Sequence, residues 1–399
     1  MSSASGKKNR HSITFILAVA WVSVLVCCVF FADFLANQNP IAINLPGEGW
    51  VITIFGVPPG IDPEQHEVIR APIGYSPEQL DFKAARFRPF FLAEEGKYEP
   101  SHLLGTDELG RDIFSGLIHG TRTSIFVAFF AMLFATFNGV LIGGVAGFVG
   151  DKGLRLSRRW VISVAVWLLL GWYYGYYIRQ YLLSHSWEQG FGQGMLATLI
   201  SLLFVVIAGG FAFLLYFLLR KNPWATRAFS IPVDMLMQRV VEVFTSIPQL
   251  FLILAIITIA SPSLFLFAMI IGFTFWTNIA RLVRAEMIRI REYTYVEAAR
   301  AIGLSNFWVF VKHALPNVYK MIAIYFAFGL ASTIIMESTL SFIGAGIPPD
   351  TMSWGKMLSK FSMLDWWKSV IPGAAIIITV LSFHRLGESV NYRNRIRHL

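Results

Sequence analysis

The sequence has little charge and almost no cysteine. Asp, Glu, Lys and Arg make up 14% of its 399 residues and hydrophobic residues 55%, whereas a soluble domain carries about 25% charge. The two cysteines, Cys27 and Cys28, are adjacent inside an apolar run, which excludes a disulfide framework and a thiolate metal site. No G-x-x-x-x-G-K-[ST] occurs, because Gly96-Lys97 is followed by Tyr98 and Gly355-Lys356 by Met357. ATP binding by a P-loop is therefore excluded. H-E-x-x-H and G-x-S-x-G are missing, and the eight histidines form no pair at ligand spacing. Neither a metal site nor a membrane-embedded hydrolase has support.

What is present is a series of apolar runs of roughly membrane-spanning length. They lie at 13–35, 124–149, 160–178, 195–219, 240–260, 264–279, 318–336 and 370–383, which predicts eight helices in an all-α polytopic membrane protein. The first run follows Lys7, Lys8 and Arg10, exceeds a signal-peptide core and precedes no A-x-A site. It is expected to stay as an anchor. A net charge of +9 has the sign of a nucleic-acid binder, but its distribution argues otherwise. With the N-terminus inside, the inside segments 1–12, 150–159, 220–239, 281–320 and 385–399 each carry +3 or +4, while the short outside segments 179–194 and 337–369 are neutral. That is the positive-inside pattern. The partner implied by the basic balance is the lipid bilayer, with no nucleic acid and with both termini in the cytoplasm.

Three local patterns carry more detail. Gly139, Gly143 and Gly147 repeat every four residues on one face of the second run, a packing signal that serves a helix of the same chain or of a partner chain equally well. In the inside loop 281–317, Glu297-Ala298-Ala299-Arg300-Ala301-Ile302 is a good helix former with small residues on its surface. Gly303 suits a left-handed C-terminal cap and Ser305 a new N-cap, and Pro316 is expected to interrupt entry to the next span. The product is a short helix across the membrane surface, fit for a groove on a soluble partner. In Leu104–Ser124, Thr106 or Asp107 can cap a helix whose apolar stripe is Ile113, Phe114, Leu117 and Ile118. Its polar stripe is Arg111, Ser115, His119 and Arg122, expected mainly as caps and ion pairs steadying the entry.

The spacing Glu297-Ala298-Ala299, Gly303, Leu315-Pro316 resembles the EAA loop of ABC importer permeases, and His313 looks like the peptide-importer branch. Gly105-Thr106-Asp107, Gly110-Arg111-Asp112 is similar to the entry segment of dipeptide and oligopeptide permeases of the OppC/DppC type. Further similar stretches are Val233–Pro248, Glu337–Gly355 and Pro372–Glu388. The resemblance implies a type I ABC importer permease core of six transmembrane helices, in the bacterial cytoplasmic (inner) membrane. It implies that this chain forms the pathway with a second permease subunit, couples to two ABC ATPase subunits that hydrolyse ATP, and receives substrate from an external substrate-binding protein. No cofactor is bound by this chain and no enzymatic site is expected. The coupling loop would be Glu297, Ala298, Ala299, Arg300, Gly303, His313 and Pro316, and the external entry segment Asp107, Arg111 and Asp112. Glu242 and Glu337 are candidates for a pathway or structural role, since intramembrane carboxylates are costly. Di- or oligopeptides lead as substrate, with nickel chelates, glycosides or peptide antibiotics as alternatives. A self-contained secondary transporter would need internal repeats, and none is seen.

The chain departs from six spans through residues 151–232, which carry two extra ones, including the aromatic group Trp172, Tyr173, Tyr174, Tyr176 and Tyr177, expected at the membrane interface. The expected organisation is a basic tail (1–12), a first helix (13–35), an external loop ending in the entry segment (36–123), with little regular structure over 37–100, and a second core helix (124–150). The two-helix insert (151–232), the remaining core (233–390) with its coupling loop at 295–317, and a cytoplasmic tail (391–399) follow.

Overall fold

The computed structural model describes residues 2–46, 49–58, 61–90, 102–151, 153–259, 263–348, 351–360 and 365–397. The chain divides into two compact units, one made of Met1–Phe148 and Val240–Leu399, the other of Val149–Arg239. Among the described residues six helices are long and apolar enough to cross a membrane. Two bent pairs raise this to eight if each pair is one span.

In the larger unit α1 (Ser2–Leu35) leads into a short three-stranded sheet of β1 (Ala42–Leu45), β2 (Gly49–Ile52) and β3 (Glu67–Ile69), with order β2-β1-β3. Both pairings are antiparallel, Ala42 standing opposite Ile52 on one side and Ile69 on the other. This corrects the expectation of a loop with little regular structure. Its Pro, Gly and charged residues had masked short alternating segments such as Ala42-Ile43-Asn44-Leu45.

Helix α2 (Ile113–Val149) has 37 residues and a length of about 55 Å at 1.5 Å per residue. It starts eleven residues before the expected 124, because the polar residues of its first turns are satisfied by neighbours and do not end it. Gly139, Gly143 and Gly147 face α9 (Leu264–Ile290). A Cβ on Gly143 would lie 2.2 Å from the Ala280 carbonyl oxygen, and one on Gly147 would lie 2.5 Å from that of Arg284. The glycine face therefore serves packing within this chain.

The expected straight span 240–260 is broken. Helices α7 (Val233–Ser246) and α8 (Gln249–Ile259) meet at 82°. Pro248 pushes Ile247 out of helical geometry, and its carbonyl accepts from the N–H groups of Phe251 and Leu252 to start α8. After α9 come the loop helix α10 (Thr294–Ala301), the single turn α11 (Asn306–Val309), α12 (Leu315–Phe342), the short α13 (Trp354–Leu358) and α14 (Trp367–Arg397). The core joins α1, α2, α12, α13 and α14 through Leu25, Ala128, Ile334, Trp354, Trp367 and Ile376. At its centre Trp354, 1% exposed, donates its indole N–H to the Leu117 carbonyl at 3.1 Å.

The smaller unit packs α3 (Arg158–Trp172), α4 (Gln180–Gln189) and α5 (Phe191–Leu218) together, with one further turn, α6 (Pro223–Thr226). Strands β4 (Arg155–Ser157) and β5 (Ala228–Ser230) pair antiparallel and bring its two ends side by side. The aromatic group expected at an interface lies mostly in a π-helical turn, Tyr173–Tyr177, between α3 and α4. All five rings are exposed, and those of Tyr173 and Tyr177 stack at 5.8 Å.

Candidate functional site: the loop helix and the entry segment

Helix α10 has eight residues and two distinct sides. Val296 (0% exposed) and Ala299 (6%) are buried in the chain, whereas Glu297, Ala298 and Arg300 are exposed. Its end is a Schellman motif, with the Leu304 N–H donating to the Ala299 carbonyl at 3.2 Å and the Gly303 N–H to that of Arg300 at 3.0 Å. Gly303 takes φ +89°, the left-handed conformation that closes such a cap at least cost in glycine. Beyond it Ile302 (78% exposed), Phe307 (66%) and Trp308 (49%) form an apolar surface.

Two expectations about this loop change. Ser305 occupies the N-cap position of α11 without a side-chain cap bond. Pro316 does not interrupt the next span, since Asn306–Phe342 runs on through a π-helical turn at Phe310–Ala314 that contains His313. The wider turn relieves the clash and the lost N–H that proline brings to a helix. Asn317 compensates further, its side-chain amide donating to the His313 carbonyl at 2.6 Å and to Tyr295 Oη at 3.0 Å. Tyr295 belongs to α10, so that amide ties the loop helix to α12. On the other side the Arg300 guanidinium lies 5.3 Å from the Phe148 ring centre, and Arg291, at the end of α9 just before the loop helix, donates to the Gly147 carbonyl at 3.4 Å. The loop helix is thus fastened to the end of α2 as well.

The entry segment is a folded loop. Gly105 and Gly110 both take φ +76°, and a Cβ on Gly110 would meet the Asp81 carbonyl oxygen at 1.7 Å. Asp107 accepts from the N–H groups of Leu109 and Arg111 with Oδ1 and from Lys360 Nζ, at 2.7 Å, with Oδ2. Burial pushes its carboxyl pKa up, but the Lys360 ammonium and those two amides outweigh this and hold it below the ordinary aspartate range. The expected cap is corrected. Asp112, not Thr106 or Asp107, precedes α2 and accepts the Ser115 N–H at 2.7 Å. Its other oxygen meets His102 Nδ1 at 3.0 Å, both side chains being almost fully buried. Asp107, Arg111, Asp112, Lys360 and Lys368 line a cavity of about 30 Å³. Along α2, Ser115 donates to the Tyr75 carbonyl, His119 Nε2 lies 2.8 Å from the Ala36 carbonyl oxygen, and Arg122 pairs with Asp33 at 2.9 Å. The polar stripe secures α1 and the preceding loop.

The two intramembrane candidates stand in different surroundings. Glu337 on α12 is 0% exposed and accepts hydroxyls from Ser124 (2.9 Å), Ser341 (2.8 Å) and Ser338 (3.2 Å), with Ser353 a fourth. Ser353 also caps α13 through the Lys356 N–H. Glu242 on α7 is exposed on the surface of the chain beside the buried Val241. Sequence reasoning missed Lys360, the serines around Glu337 and Asn317. The Asn317 contact to His313 and the Ser341 contact to Glu337 follow helical spacing, and Ser338 adjoins Glu337, so these were open to discovery; Ser124 and Lys360 stand more than 200 residues from their partners.

Comparison with known proteins agrees with these motifs. Residues 224–395 match the family of binding-protein-dependent transport system inner membrane components. The dipeptide transport system permease protein DppC of Bacillus subtilis is 25% identical over 293 residues, covering 72% of this chain and 67% of that protein. The probable D,D-dipeptide transport system permease protein DdpC of Escherichia coli is 25% identical over 293 residues, covering 73% and 72%. The oligopeptide transport system permease protein OppC of Haemophilus influenzae is 31% identical over 160 residues, covering 39% and 51%. With its several membrane-spanning helices, the chain is a multi-pass membrane protein whose residues 224–395 match the transport-system membrane component and which is similar to dipeptide and oligopeptide permeases.

Proposed function

We infer that this chain is one of two permease subunits of an ABC importer for di- or oligopeptides. It lines the pathway with the second permease and takes substrate from an external binding protein. The substrate class comes from the names of its relatives. Coupling to two ATPase subunits rests on one observation, the loop helix α10. A short helix that buries Val296 and Ala299 and presents Glu297, Ala298, Arg300 and then Ile302, Phe307 and Trp308 is a docking surface, because apolar side chains gathered on a loop mark a partner site. The chain carries no P-loop, so nucleotide is bound and hydrolysed by the partners and no enzymatic site belongs to this subunit.

The mechanism is a lever. A conformational change has to be driven by differential contacts with its two states, and α10 meets the ATPases while tied to α12 by Asn317 and to α2 by Arg300. ATP-driven closure of the ATPases displaces α10 and carries both helix ends with it as a rigid-body movement. Both termini lie in the cytoplasm of a bacterial inner membrane, and reporter fusions at Asn222 and Ser305 should report inside and one at Trp187 outside.

The test is reconstitution in proteoliposomes with the second permease, both ATPases and the binding protein. Ala298→Cys should cross-link to an ATPase, its exposed position being better placed than the buried Ala299. Gly303→Pro should insert but uncouple, since proline forbids φ +89° and removes the N–H bonded to Arg300. Normal ATP-driven uptake by Gly303→Pro would sink the coupling role. Uptake of nickel chelates, glycosides or peptide antibiotics in place of labelled peptides would overturn the substrate class alone.

A further inference from the structure

The smaller unit contains a groove that the transport reading leaves without a use. It lies between α3 and α5, has a volume of about 390 Å³, and is lined by Trp160, Ser163, Trp167, Gly209, Ala212 and Tyr216 among others. The two helices run antiparallel, so Tyr216 stands beside the start of α3 and Gly209 beside Trp167, where a Cβ on Gly209 would lie 3.2 Å from the Trp167 indole nitrogen.

Polarity changes along the groove. Where Tyr216 lines it, the groove adjoins its basic end: the Arg159 guanidinium, next in sequence to the lining residue Trp160, lies 4.5 Å from the Tyr216 ring centre, and Arg159 Nε is buried without a hydrogen-bond partner among the described residues. One turn further along α3, Ser163 is 6% exposed, lines the groove, and its Oγ is also buried without such a partner. Leaving buried donors unmade is costly, and these two stand four residues apart on one helix face. Deeper in, the walls are the small residues Ala212 and Gly209 and the ring of Trp167, whose indole N–H is already committed to the Val205 carbonyl at 3.0 Å. Around the basic end the sequence places Arg155, Arg158, Arg220, Lys221 and Arg227, with Asp151 as the nearby carboxylate. Arg158 is 4.6 Å from the Trp224 ring centre, and its N–H bonds the Arg227 carbonyl. Strands β4 and β5 join the same two segments.

We propose that this groove is a binding site for one anionic phospholipid. Its phosphate meets Arg159 and the surrounding basic residues, its glycerol ester region accepts the Ser163 hydroxyl, and an acyl chain lies along Ala212 and Gly209. A cationic mouth, one isolated hydroxyl and an apolar floor follow, in that order, the chemistry of a phospholipid from headgroup to tail. Basic pockets between membrane helices recognise anionic headgroups on this principle. A peptide or a free anion matches only part of the sequence of surfaces. The site belongs to the inserted unit and is independent of the substrate of the transporter.

The experiment uses the full-length protein purified in detergent and titrated separately with dioleoylphosphatidylglycerol, dioleoylphosphatidylcholine and inorganic phosphate. Native mass spectrometry counts bound lipid and thermal unfolding reads stabilisation. Phosphatidylglycerol should bind one per chain and raise the unfolding temperature, while phosphatidylcholine and inorganic phosphate should do neither. Arg159→Gln should weaken phosphatidylglycerol binding about fivefold, Arg159→Lys should largely keep it, and Ala212→Phe should remove it by filling the groove with every charge retained. Equal retention of the two lipids by the unaltered protein overturns the proposal, and this holds even if a variant fails to fold. Full protection by inorganic phosphate would instead identify a simple anion site, and unchanged lipid binding in Ala212→Phe would move the lipid elsewhere.

Discussion

The Asp107 carboxylate and the Lys360 ammonium lie 2.7 Å apart across 253 residues of sequence. The pair pins the entry segment before α2 to the chain just beyond α13. Asp107 at the same time closes its own turn through the Leu109 and Arg111 amides. Asp107→Asn should keep an oxygen for those amides and lose the ion pair, costing about 1.5–3 kcal/mol, the range for hydrogen bonds to charged groups. The pH dependence has a definite sign. A carboxylate whose folded pKa is depressed, as here, contributes stability that is fully present above its unfolded pKa and is lost as pH falls through the folded value. Thermal unfolding of the two proteins should therefore differ at neutral pH and converge in acid. A difference unchanged into strong acid would mean that the side chain acts by shape alone.

Glu337 is held by seryl hydroxyls. Replacement by Gln keeps a side-chain oxygen acceptor and the volume, and should be tolerated. Glu337→Leu strands the hydroxyls of Ser124 and Ser353, at about 1–3 kcal/mol for each buried group left unsatisfied. Detergent-purified yield and unfolding temperature should rank the unaltered protein and Gln above Leu. Equal stability of Gln and Leu would show that the serines do not depend on Glu337.

At Gly143 the neighbour is backbone. The Cβ of Gly143→Ala would stand 2.2 Å from the Ala280 carbonyl oxygen and 2.7 Å from its Cα, so α2 and α9 must separate. Overpacking of this kind costs about 1–3 kcal/mol. Gly210, where an added Cβ meets nothing within 4 Å, is the control, and Gly210→Ala should be neutral or slightly stabilising through helix propensity. Thermal unfolding of both variants in one detergent makes the comparison.

Excision of the smaller unit should leave the other spans in place. Strands β4 and β5 pair Arg155 with Ser230, and the Ile231 N–H bonds the Leu154 carbonyl at 2.9 Å, so Leu154 and Ile231 can be rejoined by a short turn. The deletion of 155–230 should keep the orientation of later loops, and partial uptake against an equally expressed control would mark the unit as accessory. A shortened chain that assembles with its ATPases yet transports nothing would place α3 and α5 in the pathway or its gating.

The sequence by itself determined what is local. Hydropathy located the apolar helices, since burying backbone in lipid demands a continuous hydrogen-bonded run. The helix at 297–302 and its Gly303 cap were legible because a Schellman motif closes within six residues. Pro248 was equally visible, yet hydropathy reads through it, and the 82° bend between α7 and α8 appears only in the folded chain. Tertiary structure alone decided that the glycine face of α2 meets α9, that Glu337 meets Ser124, 213 residues away, and that Lys360 answers Asp107. Those contacts depend on which helix faces pack together, and no spacing along one helix records that choice. The groove of the smaller unit is of the same kind. Arg159 and Ser163 share a face by helical spacing, but their isolation follows from what α5 sets opposite them, the small side of Ala212 and the ring of Tyr216.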